Sequence, residues 1–190
     1  MNKLLVGIAG AAGVGKDTVA NILKKHFQFN QDAFAAPIKS MLKSIGIDEP
    51  IDRIGKERIL PGWDFSYRKA AQTLGTEWGR TLQSDLWLQI AKNKIPNHAR
   101  LCFSDVRFEN EADLIRAHKG VIFHVEGRGT SASKENASHI SESGILRHPS
   151  DFVIDNSTTH KQLIKNVFQV MQSMGQSIQQ NSSNILLLSS

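Results

Sequence analysis

Leu4-Leu5-Val6 runs directly into Gly7-Ile8-Ala9-Gly10-Ala11-Ala12-Gly13-Val14-Gly15-Lys16-Asp17-Thr18. An apolar run, a glycine-rich turn and a lysine opening a helix leave few folds available. Gly10 to Lys16 fits G-x-x-x-x-G-K between a short buried strand and a helix, the context that gives the pattern its meaning. The glycines let the backbone turn sharply and aim several N–H groups at one phosphate. The helix start adds its own unpaired N–H groups and the positive end of its dipole. Lys16 adds a mobile cation for the outer phosphates. The segment therefore predicts a nucleoside triphosphate site. The competing explanation is a ligand-free glycine-rich turn, and the agreement of strand, loop, lysine and helix argues against it.

Position 17 departs from the usual pattern. A Ser or Thr hydroxyl is common there and would bind Mg²⁺; this chain has Asp17 followed by Thr18. Asp17 is a hard oxygen ligand for Mg²⁺, directly or through water. It also suits a helix N-terminus on electrostatic grounds alone. Thr18 still offers a hydroxyl to a phosphate.

The 190 residues suit one domain with a sizeable core. The single cysteine, Cys102, excludes an intrachain disulfide and sits in the apolar run Leu101-Cys102-Phe103, which predicts a buried thiol rather than a nucleophile. No apolar stretch is long enough to span a bilayer, and the N-terminus reads as a strand rather than a secretory signal. A cytoplasmic location is the expectation. The net charge of +5 would suit either nucleic acid or a phosphorylated small molecule. The basic residues are scattered, and neither a zinc spacing nor a ladder of stacking aromatics is present. The expected partner is therefore a small molecule, with no nucleic acid and no membrane; a homodimer stays open.

Along the chain, periodicity predicts a strand over 3–9, a helix over 16–27, a short strand within 28–34 and a helix from Pro37 ended by Gly46. Residues 46–66 read as an irregular, mobile flap. Helices follow over 67–78 and about 80–94. Then come a strand over 101–105, a helix over 108–119, a strand over 121–125, a loop over 126–150, a strand over 152–154 and a helix over 159–174. Beyond Gly175 the composition predicts a frayed polar tail. Strands alternating with helices behind a phosphate loop give a parallel α/β sheet flanked by helices. The expected organisation is a domain over 1–174, with a mobile region at about 38–95 and a lid-like loop at about 126–150. A tail over 175–190 follows it.

Three clusters carry candidate chemistry. Ligands in such sheets sit beyond the carboxyl ends of the strands. Asp105 ends one strand there, with Arg107 two residues on and Glu111 a helical turn later. Asp105 would bind Mg²⁺ through water, and Arg107 would grip a phosphate. The plainer alternative is a helix cap at Asp105 and an Arg107–Glu111 surface pair, which spacing alone leaves equally weighted. In the second cluster, Arg68 and Gln72 share a helix face ahead of Gly75, Thr76 and Arg80; pattern alone favours an ordinary polar face. Trp63, Trp78 and Trp87 read first as packing residues. In the third, Arg128 lies just past a strand and suits a lid over a transferring phosphate, against the alternative of an exposed loop cation. His139, Ser141 and Glu142 follow it, with no metal-ligand pattern.

Taken in order, Gly-Lys-Asp-Thr (15–18), Ala-Pro-Ile-Lys (36–39), Arg-Lys-Ala-Ala-Gln-Thr-Leu-Gly-Thr (68–76), Asp-Val-Arg-Phe-Glu-Asn-Glu (105–111), Gly-Val-Ile-Phe-His-Val (120–125), His-Ile-Ser-Glu (139–142) and Asp-Phe-Val-Ile-Asp-Asn (151–156) form a pattern. It resembles the deoxynucleoside monophosphate kinase family of tailed bacteriophages and prophages. That resemblance implies a P-loop fold with monophosphate-binding and lid segments, and transfer of the ATP γ-phosphoryl group to a deoxynucleoside 5′-monophosphate. It implies that Gly13, Gly15, Lys16, Asp17 and Thr18 hold ATP and Mg²⁺, with Asp17 and Asp105 as metal candidates. It implies that Lys39, Arg68, Gly75, Thr76, Trp87, Asp105, Arg107 and Glu111 line the monophosphate site. Lys16, Asp105, Arg107 and Arg128 would serve transfer. The family shares Asp17. Segment 46–66 differs from some members, which leaves base preference open. Two other classes stay in view: a kinase acting on a sugar hydroxyl, such as dephospho-coenzyme A, and a non-catalytic nucleotide-binding module.

Overall fold

A computed structural model of the protein describes residues 3–127 and 145–188. The chain divides into two compact units, Met1–Gln31 with Arg100–Ser190, and Asp32–Ala99.

The first unit is built on a sheet of five strands: β1 (Leu4–Ala9), β2 (Asn30–Asp32), β3 (Arg100–Val106), β4 (Val121–Gly127) and β5 (Phe152–Asn156). Their spatial order is β2-β3-β1-β4-β5. β1 runs parallel to β3 and β4, and β4 runs parallel to β5. Parallel strands covered on both faces read as continuous apolar runs, as Leu4–Ala9 and Leu101–Phe103 do. The alternation of side chains then sorts each strand between two layers. Val6, Ile8, Cys102, Phe123 and Val125 face a core completed by Val19 and Leu23 of α1 (Lys16–Phe27). Leu163 and Val167 of a long C-terminal helix join the same core. Gly7 lies against Ile115 of the helix Glu109–Ala117, which packs on β1 and β4. Cys102 is fully buried, as its apolar flanks predict.

The C-terminal helix runs His160–Leu188, well past the end expected at 174. Gly175 lies inside it. A helical glycine costs about 1 kcal/mol relative to alanine and need not end a helix.

Residues 145–151 are fixed by a buried ion network. One carboxylate oxygen of Asp151 accepts from Arg116 Nη2 at 2.7 Å and from the His148 N–H at 2.9 Å, and lies 3.2 Å from His124 Nε2. The other accepts from the Ile122 N–H. Arg116 also reaches Glu109 at 2.8 Å and the Leu146 carbonyl at 3.0 Å. Burial alone would raise the Asp151 pKa. Arg116, the His148 N–H and His124 outweigh it and hold the group below its ordinary 3.8.

The second unit is helical: α2 (Ala36–Ser44), α3 (Arg53–Glu57), α4 (Tyr67–Gln72), a π-helical turn Thr73–Trp78, α5 (Gly79–Leu82), α6 (Leu86–Lys94) and a 3₁₀ turn Ile95–Asn97. Ile38, Leu42, Ile47, Tyr67 and Trp87 make its core. The flap expected to be irregular contains α3, capped by Asp52 through the Gly55 N–H. The helix expected over 67–78 passes into the π turn. A break at 83–85 separates α5 from α6, so the helix expected over 80–94 is two. α7 (Glu109–Ala117) and α8 (His160–Leu188) complete the first unit.

Candidate active site

The phosphate loop leaves β1 at the carboxyl edge of the sheet and enters α1 at Lys16. Gly10 has φ +141°, and a Cβ there would stand 2.5 Å from the Val125 carbonyl oxygen. Gly15 has φ +103° at the N-cap of α1, and a Cβ there would collide with the Asn156 amide. Both positions therefore exclude a side chain twice, by backbone conformation and by space. The cap makes no side-chain hydrogen bond, which leaves the first-turn N–H groups of α1 available to a ligand oxygen.

Asn156 ends β5 and donates its side-chain amide to the Val14 carbonyl at 2.8 Å. It is 7% exposed. This contact turns one loop carbonyl outward to the sheet. The sequence reading assigned Asn156 no role, although its place at the end of the last strand was the signal that would have found it.

Lys16 Nζ folds back over the loop and donates to the Gly10 carbonyl at 2.6 Å and the Ala11 carbonyl at 2.8 Å. Its pKa lies below the ordinary lysine value, first through burial and then through the Arg107 charge; Asp17 and Asp105 oppose the shift. Arg107, Asp17 and Asp105 thus all lie within electrostatic reach of Lys16. Asp105 is half-buried near the end of β3, and Asp17 and Arg107 are exposed. The arrangement can receive a polyanion and retains hard oxygens for a divalent cation. Among the described residues no cluster of three or more metal-ligating side chains occurs.

Glu111 is a buried group rather than a surface one. It is 6% exposed, and one carboxylate oxygen accepts from the main-chain N–H groups of Arg107 and Phe108 at 2.7 and 3.2 Å. It caps α7 from the third helical position, while Phe108, not Asp105, is the N-cap residue. Glu111 therefore fixes the turn that carries Arg107.

The other expected acceptor residues lie in the second unit. Lys39 is paired with Glu49 and Arg68 with Glu57. Gly75 and Thr76 sit in the π turn, a geometry frequent at functional sites. Trp87 is buried, and its indole N–H donates to the Gly75 carbonyl at 2.7 Å, so it supports that turn from beneath. Gly13 lies in the loop with φ +81°, and Thr18 is half-buried in the first turn of α1. Arg128, with His139, Ser141, Glu142 and most of the expected lid, lies outside the described residues.

A family model described as "Deoxynucleotide monophosphate kinase" matches residues 49–167. The phosphate loop precedes that match and rests on its own geometry. A protein of Acanthamoeba polyphaga mimivirus described as "Putative deoxynucleotide monophosphate kinase" is 26% identical over 192 residues, covering 91% of this chain and 98% of the viral one. Among solved structures, a gluconokinase from Sinorhizobium meliloti 1021 is similar with a TM-score of 0.54 and 10% identity, over 95% of this chain and 97% of that one. A Chloroflexus aurantiacus structure described as "a putative kinase" has a TM-score of 0.52 and 12% identity, over 90% and 97%. The two structural likenesses show the fold, that of P-loop kinases.

Proposed function

Because the chain belongs to the deoxynucleotide monophosphate kinase family, we propose that it moves the γ-phosphoryl group of ATP onto the 5′-phosphate of a deoxynucleoside monophosphate. ADP and the deoxynucleoside diphosphate are the products. The observation that carries this reading is the phosphate loop itself, with Lys16 folded over its carbonyls at the start of α1 and Arg107, Asp17 and Asp105 within electrostatic reach of that lysine.

The residues present fit ATP with Mg²⁺. Side chains are excluded at Gly10 and Gly15, as close backbone approach to a phosphate requires. Asp17, Thr18 and Asp105 supply hard oxygens, and Mg²⁺ is commonly held by one or two carboxylates together with phosphate oxygens. The nucleotide supplies the phosphoryl group, and ADP leaves as the bond to that group breaks and the bond to an acceptor oxygen forms. The acceptor oxygen is already anionic, so no strong general base is needed. Lys16, Arg107 and the N–H groups of α1 neutralise charge that would otherwise keep two polyanions apart. Glu111 holds Arg107 in register. Lys39, Arg68, Gly75, Thr76 and Trp87 are proposed to bind or support the acceptor, and Arg128 to act from a lid that excludes water.

The test is coupled ADP release with ATP and Mg²⁺ across a panel of deoxy- and ribonucleoside monophosphates, with dephospho-coenzyme A included. Turnover with one or more deoxynucleotides supports the reading and sets base preference. Silence on every monophosphate by a folded, ATP-binding protein overturns it, and turnover of dephospho-coenzyme A would move the acceptor to a sugar hydroxyl.

A further inference from the structure

Lys39 leaves α2, and Lys56 leaves α3, to meet on one carboxylate. Glu49 Oε2 lies 3.0 Å from Lys39 Nζ, and Glu49 Oε1 lies 2.5 Å from Lys56 Nζ. Lys56 and Glu49 belong to the segment 46–66, whose breakers predict an irregular flap. The two lysines hold Glu49 below the usual carboxylate range, although burial opposes this. Tyr67, at the start of α4, is 3% exposed, and its hydroxyl makes no hydrogen bond among the described residues. Burial, and then the charge of Glu49, push the Tyr67 phenol up to about 12, which places the carboxylate within electrostatic reach of the phenol.

Two ammonium groups thus share one carboxylate, and the buried Tyr67 hydroxyl belongs to α4, which packs against both α2 and α3. Each Glu49 oxygen is engaged by one lysine, and the Tyr67 hydroxyl is without a hydrogen bond among the described residues. Two ammonium groups on one carboxylate also leave a net charge of +1. A phosphate monoester brings three terminal oxygens and nearly two negative charges at neutral pH. It would meet all three donors and neutralise the pair of lysines. A buried hydroxyl without a partner carries a free-energy cost that such a ligand relieves.

We propose that Lys39, Lys56 and Tyr67 form the subsite for the acceptor's phosphate group, and that Glu49 occupies it as an internal stand-in which the phosphate displaces. The proposal rests on the phosphotransferase reading above and adds Lys56, Tyr67 and Glu49 to it. Glu49 is about a third exposed, so solvent can receive it when it swings away. The exchange would select for a dianionic group: an unphosphorylated nucleoside cannot compete for the lysines.

The experiment titrates the full chain without ATP against inorganic phosphate, the four common deoxynucleoside monophosphates and thymidine, by calorimetry, with steady-state KM values alongside. Lys56→Gln is expected to weaken monophosphate and phosphate binding by about 10-fold, the scale of one charge-assisted hydrogen bond. Its ATP affinity should not change, and Lys56→Arg should keep monophosphate binding. Glu49→Gln is expected to tighten monophosphate binding several-fold. Tyr67→Phe is expected to weaken it without lowering Tm, since the hydroxyl has no protein partner to lose. Unchanged monophosphate affinity in Lys56→Gln, or weaker binding in Glu49→Gln, overturns the proposal even if the wild type turns deoxynucleotides over. If no monophosphate is turned over, the phosphate titration still decides: binding lost in Lys56→Gln upholds the subsite, and a wild type that binds neither phosphate nor monophosphate removes it.

Discussion

The side-chain amide of Asn156 and the main-chain carbonyl of Val14 are joined by a buried hydrogen bond of 2.8 Å between residues 142 positions apart. The last strand of the sheet thereby sets the conformation of the loop that follows the first. Asn156→Ala leaves the Val14 carbonyl buried without its donor, which costs about 1–3 kcal/mol. The expected result is a lower Tm and weaker ATP binding, with the monophosphate KM little changed at saturating ATP. Equal losses for both substrates would show that the bond supports the domain at large.

Lys16→Ala is expected to lower kcat by about 10²–10³-fold, the scale of removing one preorganised charge-stabilising donor. Circular dichroism should be unaltered, since the lysine head contacts only loop carbonyls. A folded variant with wild-type turnover would remove Lys16 from the mechanism.

Arg107→Ala should act mainly on the acceptor. A loss of about 10–100-fold in kcat/KM for the monophosphate is expected from one charge-assisted contact, against a smaller change in ATP affinity. An unaltered dependence of rate on monophosphate concentration would assign Arg107 elsewhere. Stability should hold, because the bonds from Glu111 go to the main-chain N–H groups at 107 and 108, which the substitution keeps.

The Arg116–Asp151 pair makes a stability prediction with a definite sign. Asp151 is held below its ordinary 3.8 in the folded state. Its contribution is therefore fully present above about pH 4, and falls away as the pH drops below the unfolded value through the folded one. Asp151→Asn should be less stable near neutrality and should show a shallower loss of Tm on acidification than the wild type. Arg116→Leu should cost about 3–5 kcal/mol, because Asp151 then stays buried without its main cation. Urea melts at pH 7, with thermal melts followed from pH 7 down to about pH 2, measure both.

Cys102 offers a probe of the core. Burial pushes its thiol far above the ordinary value, with the Asp105 charge adding to the effect. Iodoacetamide at pH 8 should leave it unlabelled in the native protein and label it fully in urea. Rapid native labelling would mean that the strand β3 opens on the timescale of the reaction.

The phosphate loop was legible because its chemistry is written in backbone terms: glycines at fixed spacing, an apolar strand before and a helix after. Asp105 and Arg107 were legible from their place at a strand end. Glu111 was legible as a residue of this turn, but its main-chain partners were not, since spacing i to i+4 cannot tell a side chain from a main-chain N–H. The π turn at Thr73–Trp78 and the break after Leu82 went unseen. What packs on them comes from beyond the window: the Trp87 indole N–H meets the Gly75 carbonyl, and Trp87 lies so close to Gly79 that a Cβ there would meet the ring. Nothing within a helical window discloses a contact made eight residues away. The meeting of Lys39 and Lys56 on Glu49 was hidden for the same reason, because it depends on how α2 and α3 fold together.

The strands β1 and β3 pair Leu4 with Arg100, and of the chain between them everything after Gln31 belongs to the second unit. A ribosome making this chain must therefore release the entire helical insert before the centre of the sheet can be assembled. The apolar strand β1 waits through that interval with its edges open, exposed to wrong pairing. The insert's own core, from Ile38 to Trp87, is complete by then and can fold first. The order of synthesis thus favours an insert that is finished before the sheet closes, and any change that slows folding of residues 32–99 lengthens the exposure of β1.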